Sequence, residues 1–84
     1  MRNTNYKKIT SLINEFNDVH QRSDHADYML SKKDISQEER DEYEDEADMY
    51  LCELSDVAGK IKQLKPSKYM MEKYLELDYI MTFA

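Results

Sequence analysis

Glycine and proline are almost absent from this sequence, with one residue of each among 84. A β-sheet protein needs these residues at its turns, whereas the abundant Glu, Lys, Met, Leu and Ala favour helices. We therefore predict an all-α fold. A chain of this length forms a single domain, residues 1–84, whose small core leaves it marginally stable unless it associates with another chain.

Disulfide bonds and membrane spans are also missing from the sequence. The single cysteine, Cys52, has no partner for an internal disulfide, and no apolar run approaches the roughly 18 residues of a membrane span. No apolar signal segment follows Met1. We therefore expect an intracellular, cytoplasmic protein that does not contact a membrane.

Two heptad patterns predict two long helices. The first predicts a helix over about 4–31, with Asn3 or Thr4 as its N-cap, and passes through Ile9, Leu12, Phe16, Val19, Ser23, Ala26 and Leu30. The second predicts a helix over about 37–65 and passes through Tyr43, Ala47, Tyr50, Leu54, Val57, Ile61 and Leu64. This helix begins after Ser36, which can form a capping box with Glu39, and ends before Pro66.

The connection between these helices, residues 31–35, is short, so we predict an antiparallel helical hairpin. A second apolar stripe on the second helix, formed by Leu51, Leu54, Ala58 and Ile61, predicts contact with a third segment. That segment, about 67–83, is apolar almost all round and predicts a third helix. Either a second copy or a partner protein would cover its remaining apolar surface, so we expect a homodimeric helical bundle. We assign the oligomer interface to Met70, Tyr74, Leu77 and Met81.

Nearly all the acidity of the chain lies in one block. The net charge is −6, and residues 34–56 alone carry eleven acidic groups and one basic group. The segments before and after this block each have a balance of +2. This distribution argues against direct nucleic-acid binding and favours a protein partner with a basic surface.

The densest part of this block, residues 36–50, contains eight carboxylates and a single basic residue, Arg40. The first carboxylates complement the positive end of the predicted helix, but residues 42–48 lie beyond that end and repel one another. Tyrosines between them add side chains that are enriched in interfaces. A solvated acidic face without a partner is the alternative. We assign partner binding to Asp41, Glu42, Tyr43, Glu44, Asp45, Asp48 and Tyr50.

These features predict a non-enzymatic interaction module without a cofactor or metal, a regulator or inhibitor that docks an acidic helix face and a Tyr/Met surface on a basic protein. The first alternative is a DNA mimic of the phage type, whose carboxylates imitate phosphates and block a nucleic-acid-binding protein. No Ser-His-Asp order, glycine-rich phosphate loop or Cys-x-x-Cys motif supports catalysis.

A second alternative comes from two pairs of carboxylates. Glu39-x-x-Glu42 with Glu53-x-x-Asp56 resembles the ExxE…ExxD signature of all-α nucleotide pyrophosphatases of the MazG type. The resemblance implies a carboxylate site that holds Mg²⁺ for phosphate hydrolysis. Such a site needs the two pairs on different helices, whereas both lie on one predicted helix, so a dimer would have to bring them together.

Overall fold

The computed structural model describes residues 4–83, and for Thr4 only the backbone. Within this range the chain forms four α-helices: α1 (Thr4–Ser31), α2 (Gln37–Leu64), α3 (Lys68–Lys73) and α4 (Glu76–Thr82). The predicted all-α fold is confirmed. Asn3, one of the two N-cap candidates, lies outside the described residues, and Thr4 already belongs to α1.

The two long helices pack side by side as an antiparallel hairpin, which confirms the predicted architecture. Each has 28 residues, and together they give a rod with extents of 56 × 18 × 18 Å. The predicted capping box starts α2, because the Ser36 side chain accepts from the Glu39 amide while the Glu39 side chain accepts from the Ser36 amide. At the other end, Lys65 takes a left-handed conformation with φ of 54° directly before Pro66.

The hydrophobic core is concentrated in the half of the hairpin far from the connecting loop. Every fully buried residue of α2 lies between Leu54 and Ile61, and the first half of that helix has none. On α1 the buried face includes Ile13, whereas the predicted Leu12 is only half-buried. The buried cluster consists of Ile9, Ile13, Phe16, Val19, Leu54, Val57, Ala58, Ile61, Met70, Leu77 and Ile80.

The C-terminal segment is helical as predicted, but it is divided into two short helices instead of one. The division falls at Tyr74, whose extended backbone (φ −110°, ψ 100°) separates α3 from α4. Because the chain bends there, Met70 before the break and Leu77 after it both reach the core, and each is 0% exposed. The Tyr74 hydroxyl also lies 3.0 Å from the Tyr6 hydroxyl of α1, which ties the bend to the hairpin.

The C-terminal helices cover only part of the hairpin. Phe83 places its ring edge-on to Phe16, with centroids 5.6 Å apart, and its carbonyl accepts a hydrogen bond from the Lys62 amine. Leu51 lies about three turns before Lys62 on α2 and is 52% exposed. About half of the Leu51 side chain is therefore open to solvent, whereas Leu54, Ala58 and Ile61 of the same predicted stripe are buried in the core.

Candidate protein-interaction surface

The dense acidic run occupies the first three turns of α2, next to the hairpin loop. Glu39 is used in the capping box, and Asp41 accepts a hydrogen bond of 2.8 Å from the side-chain amide of Gln37. A row of four carboxylates on the outer face of this helix is exposed, and we call it the acidic ridge: Asp41, Glu44, Asp45 and Asp48. Their spacing of i, i+3, i+4 and i+7 places them on one side of the helix.

The single basic residue of the run points into the hairpin instead of along the ridge. The Arg40 guanidinium donates to the Leu30 carbonyl at 3.0 Å and to the Lys32 carbonyl at 2.9 Å. These carbonyls lie at the C-terminal end of α1, where helical C=O groups lack partners and the helix dipole favours a cation. Arg40 therefore closes the loop and caps α1.

The acidic ridge consequently has no basic partner among the residues that the structure describes. Over the residues whose side chains are described, 5–83, the ion pairs are His20–Asp24 at 3.4 Å and Asp18–Arg22 at 3.2 Å, and both lie on α1. No ridge carboxylate takes part in either. Mutual repulsion along the ridge is therefore left uncompensated within the described part of the chain.

The remaining predicted partner-binding residues divide between two environments. Glu42 is exposed, whereas Tyr43 and Tyr50 are half-buried and face the hairpin. The Tyr43 ring packs edge-on to the His25 ring of α1, with centroids 6.3 Å apart, and Tyr50 packs against the core cluster. These two tyrosines therefore contribute mainly to packing between the helices, and the structure does not bring them onto the ridge.

Sequence reasoning missed a set of exposed apolar groups that continues the ridge along α2. Met49 and Leu51 are about half exposed, and Cys52 is also exposed. Cys52 follows Asp48 by four residues and continues the line of the ridge, whereas Met49 and Leu51 lie about 160° apart around the helix and flank this line on opposite sides. We call these three residues the apolar extension. The heptad pattern gave no signal for them, because all three lie outside its apolar positions and Leu51 was expected to contact the third segment.

The residues predicted to form an oligomer interface lie in or against the core of the single chain. Met70 and Leu77 are fully buried there, while Tyr74 and Met81 are half-buried at its edge. The C-terminal segment presents other large side chains to solvent: Tyr69, Leu75 and Tyr79. The homodimer stays a prediction, which light scattering on the 10.1 kDa chain would test.

A small cluster of polar groups ties the C-terminal helices to α1. The Lys73 amine donates a 3.0 Å hydrogen bond to the Tyr6 hydroxyl and lies 5.6 Å from the ring centroids of Tyr6 and Tyr74. The hydrogen bond from Lys73, followed by that with Tyr74, lowers the pKa of Tyr6. The hydrogen bond between Lys73 and Tyr6 also raises the pKa of Lys73. The hydrogen bond between the two tyrosine hydroxyls raises the pKa of Tyr74.

The carboxylates that resemble a pyrophosphatase signature do not come together within one chain. Both pairs lie on α2, with about 16 Å of helix between Glu42 and Glu53. Glu39 is also engaged in the capping box. No group of three or more His, Cys, Asp or Glu side chains in the described residues is arranged to hold a metal ion. A metal site of this kind would need carboxylates from a second chain.

Comparison with protein-family models, with curated protein sequences and with solved structures gave no match. Among the described residues, no helix combines the length and apolar character needed to cross a membrane.

Proposed function

We propose that this chain is a non-enzymatic, cytoplasmic interaction module that docks its acidic ridge on a basic surface of a partner protein and thereby regulates or inhibits it. One observation carries the proposal. The ridge carboxylates are exposed and form no ion pair with any described residue, while Arg40, which could have neutralised them, bonds to carbonyls inside the hairpin. Folding leaves this like charge available to an external cation.

The apolar extension supplies the second component of such a surface. Exposed charges steer a partner and fix its orientation, but most binding free energy comes from burial of apolar side chains. Cys52 lies one turn beyond Asp48, with Met49 and Leu51 on either flank, so a partner that lies along the ridge also reaches apolar groups at its end. Methionine adapts its shape readily and is common in surfaces that bind other proteins.

The proposal is tested with a variant that neutralises only the ridge: Asp41→Asn, Glu44→Gln, Asp45→Asn and Asp48→Asn. A matched control neutralises four exposed carboxylates away from the ridge: Glu15→Gln, Asp34→Asn, Glu53→Gln and Glu72→Gln. Both variants change the net charge equally. The parent and both variants are immobilised, and proteins from the source cells that each retains are identified by mass spectrometry.

We expect a protein retained by the parent and by the control but not by the ridge variant. With that protein purified, association with the parent should be fast and strongly salt-dependent, and the ridge variant should associate more slowly with a weaker dependence on salt. Removing the ridge charges should leave the stability of the chain unchanged or slightly higher. Equal association rates for the ridge variant and the control would contradict the proposal and leave the ridge as a solvated face.

Charge density favours a specific version of this function, in which the partner is a DNA-binding protein. The eight carboxylates between Glu38 and Asp48 lie along about 15 Å of helix, or one per about 2 Å. Double-stranded DNA carries one negative charge per about 1.7 Å of its axis. A cleft that accommodates DNA phosphates therefore meets a similar linear charge on α2.

The two versions differ in what competes for the partner. A DNA mimic occupies the nucleic-acid site, so a short DNA duplex should displace the chain from its captured partner, and the chain should reduce DNA binding in proportion to its occupancy. A regulator that docks elsewhere is not displaced by the duplex. The ridge variant should lose both effects if the carboxylates imitate phosphates.

A further inference from the structure

A second surface feature lies at the opposite end of the rod from the acidic ridge. Near the open end of the hairpin, α1 and α2 border a shallow, open recess of about 550 Å³, which we call the lysine groove. The lining contains three lysines, two uncharged polar side chains and two leucines: Lys7, Lys8, Lys60, Ser11, Gln63, Leu12 and Leu64. No carboxylate is among them.

The three lysine side chains are free to bind an anion. All three are exposed, and within residues 5–83 none of their amines forms an ion pair or hydrogen bond. The neighbouring Lys62 and Lys73 differ, because their amines are bonded to the Phe83 carbonyl and the Tyr6 hydroxyl. The unpaired amines therefore concentrate positive charge at one recess of an otherwise acidic protein.

The floor of the groove is apolar. Leu12 and Leu64 are half-buried and pack against the core cluster, so part of each side chain remains open to a ligand. A volume of several hundred Å³ with apolar walls and a few converging polar groups is typical of small-molecule sites. The lysine amines together with the apolar floor favour a ligand that has a negatively charged head and an apolar body.

The position of the acidic ridge limits the size of that ligand. Asp56, one turn before Lys60, forms no ion pair with it among the described residues, and the nearest ridge residue, Asp48, precedes Lys60 by 12 positions on α2, or about 18 Å. The Debye length is about 10 Å at 0.1 M salt, so a small anion at the groove is largely screened from the ridge. An extended anionic surface, such as a membrane or a nucleic acid, would meet the ridge carboxylates as well and be repelled.

We propose that the lysine groove binds a small anionic amphiphile, a molecule with a carboxylate or phosphate head and an apolar chain. Lys7, Lys8 and Lys60 hold the head, and Leu12 and Leu64 contact the chain. This site is separate from the acidic ridge and does not depend on the partner proposed for it.

The test uses sodium dodecanoate below its micellar concentration as the probe. Calorimetry should give one dodecanoate per chain, and amide NMR shifts should be largest at Ser11, Leu12 and Leu64. A groove variant (Lys7→Gln, Lys8→Gln, Lys60→Gln) should bind at least about tenfold more weakly. Inorganic phosphate, which lacks the chain, and dodecyl maltoside, which lacks the charge, should also bind at least about tenfold more weakly than dodecanoate.

A matched control replaces three exposed lysines outside the groove: Lys33→Gln, Lys65→Gln and Lys68→Gln. It removes the same charge and should keep the affinity of the parent. Equal losses in the two triple variants, shifts outside the groove, or binding only to vesicles of anionic lipid would each overturn the proposal. The shift pattern of the parent decides the matter even if the groove variant fails to fold.

Discussion

Replacing Arg40 separates two roles that a lone cation in an acidic run can have. It can lower repulsion among the neighbouring carboxylates, or it can hold the hairpin loop through its bonds to the Leu30 and Lys32 carbonyls. The structure predicts that the second role dominates. We therefore expect Arg40→Gln to destabilise the chain substantially.

The size of the loss follows from the two bonds. A hydrogen bond from a charged donor contributes about 1.5–3 kcal/mol when it is well sheltered, but Arg40 is only half-buried, so water replaces part of each bond. We expect a total loss of about 1–3 kcal/mol. A domain of this length has roughly 4–13 kcal/mol of stability in all, so the change is easily measured.

A conservative substitution tells the two roles apart. Arg40→Lys keeps the charge but loses the planar fork that reaches two carbonyls at once, so it should recover less than half of the stability lost in Arg40→Gln. Arg22, an exposed arginine paired with Asp18 on α1, is the matched control. Arg22→Gln and Arg22→Lys should each cost less than about 1 kcal/mol.

The assay is urea unfolding followed by circular dichroism, with the slope checked for constancy across the variants. It is repeated between about 0.1 M and 1 M salt, where the Debye length falls from about 10 Å to 3 Å. Bonds to neutral carbonyls should keep their contribution over this range. Full recovery of stability by Arg40→Lys, or a loss that disappears at high salt, would refute the structural role of Arg40.

Two further predictions concern other positions. Gly59 lies inside α2, and no atom lies within 4 Å of the position that a Cβ would take. Gly59→Ala should therefore raise the free energy of unfolding by about 0.5–1 kcal/mol in the same assay. A decrease would mean that the position is more crowded than in the structure. Lys73→Gln removes the bond that lowers the pKa of Tyr6, so NMR of labelled tyrosine should show Tyr6 ionising at higher pH than in the parent, and an unchanged titration would exclude the bond. Folding raises the pKa of Lys73, so the stability that the protonated Lys73 amine contributes is present below about pH 10.5. This stability is lost as the pH rises through the pKa of Lys73 in the folded chain. The Lys73→Gln variant should not show this loss.

The hairpin could be predicted from the sequence because its signals are local. Heptad spacing, the Ser36 capping box and Pro66 each act over one or two helical turns, and the ends of α1 and α2 agree with them closely. The break at Tyr74 had no such signal. It contains neither glycine nor proline, and it follows from contacts that are distant in sequence, with Tyr6 on α1 and with the core around Met70.

The surfaces were predictable only in part. Exposure of the acidic ridge followed from helical spacing, but the inward direction of Arg40 did not, because its bonds depend on where the loop places the end of α1. The lysine groove could not be predicted from the sequence either, because Lys8 and Lys60 are far apart in sequence and only the register of the hairpin brings them to one recess. The signal that could have suggested it is the presence of lysines on both helices near the open end.

The uneven core has a consequence for how the two ends of the rod fluctuate. Between the loop and Tyr50, α2 buries no side chain fully, whereas the other half of the hairpin is packed by α3 and α4. Backbone amides near the loop should therefore open and exchange with deuterium through small, frequent separations of the helices, while those around Ile61 should exchange only through complete unfolding. The acidic ridge lies on the half that opens first, so a partner that closes on it would slow exchange there most.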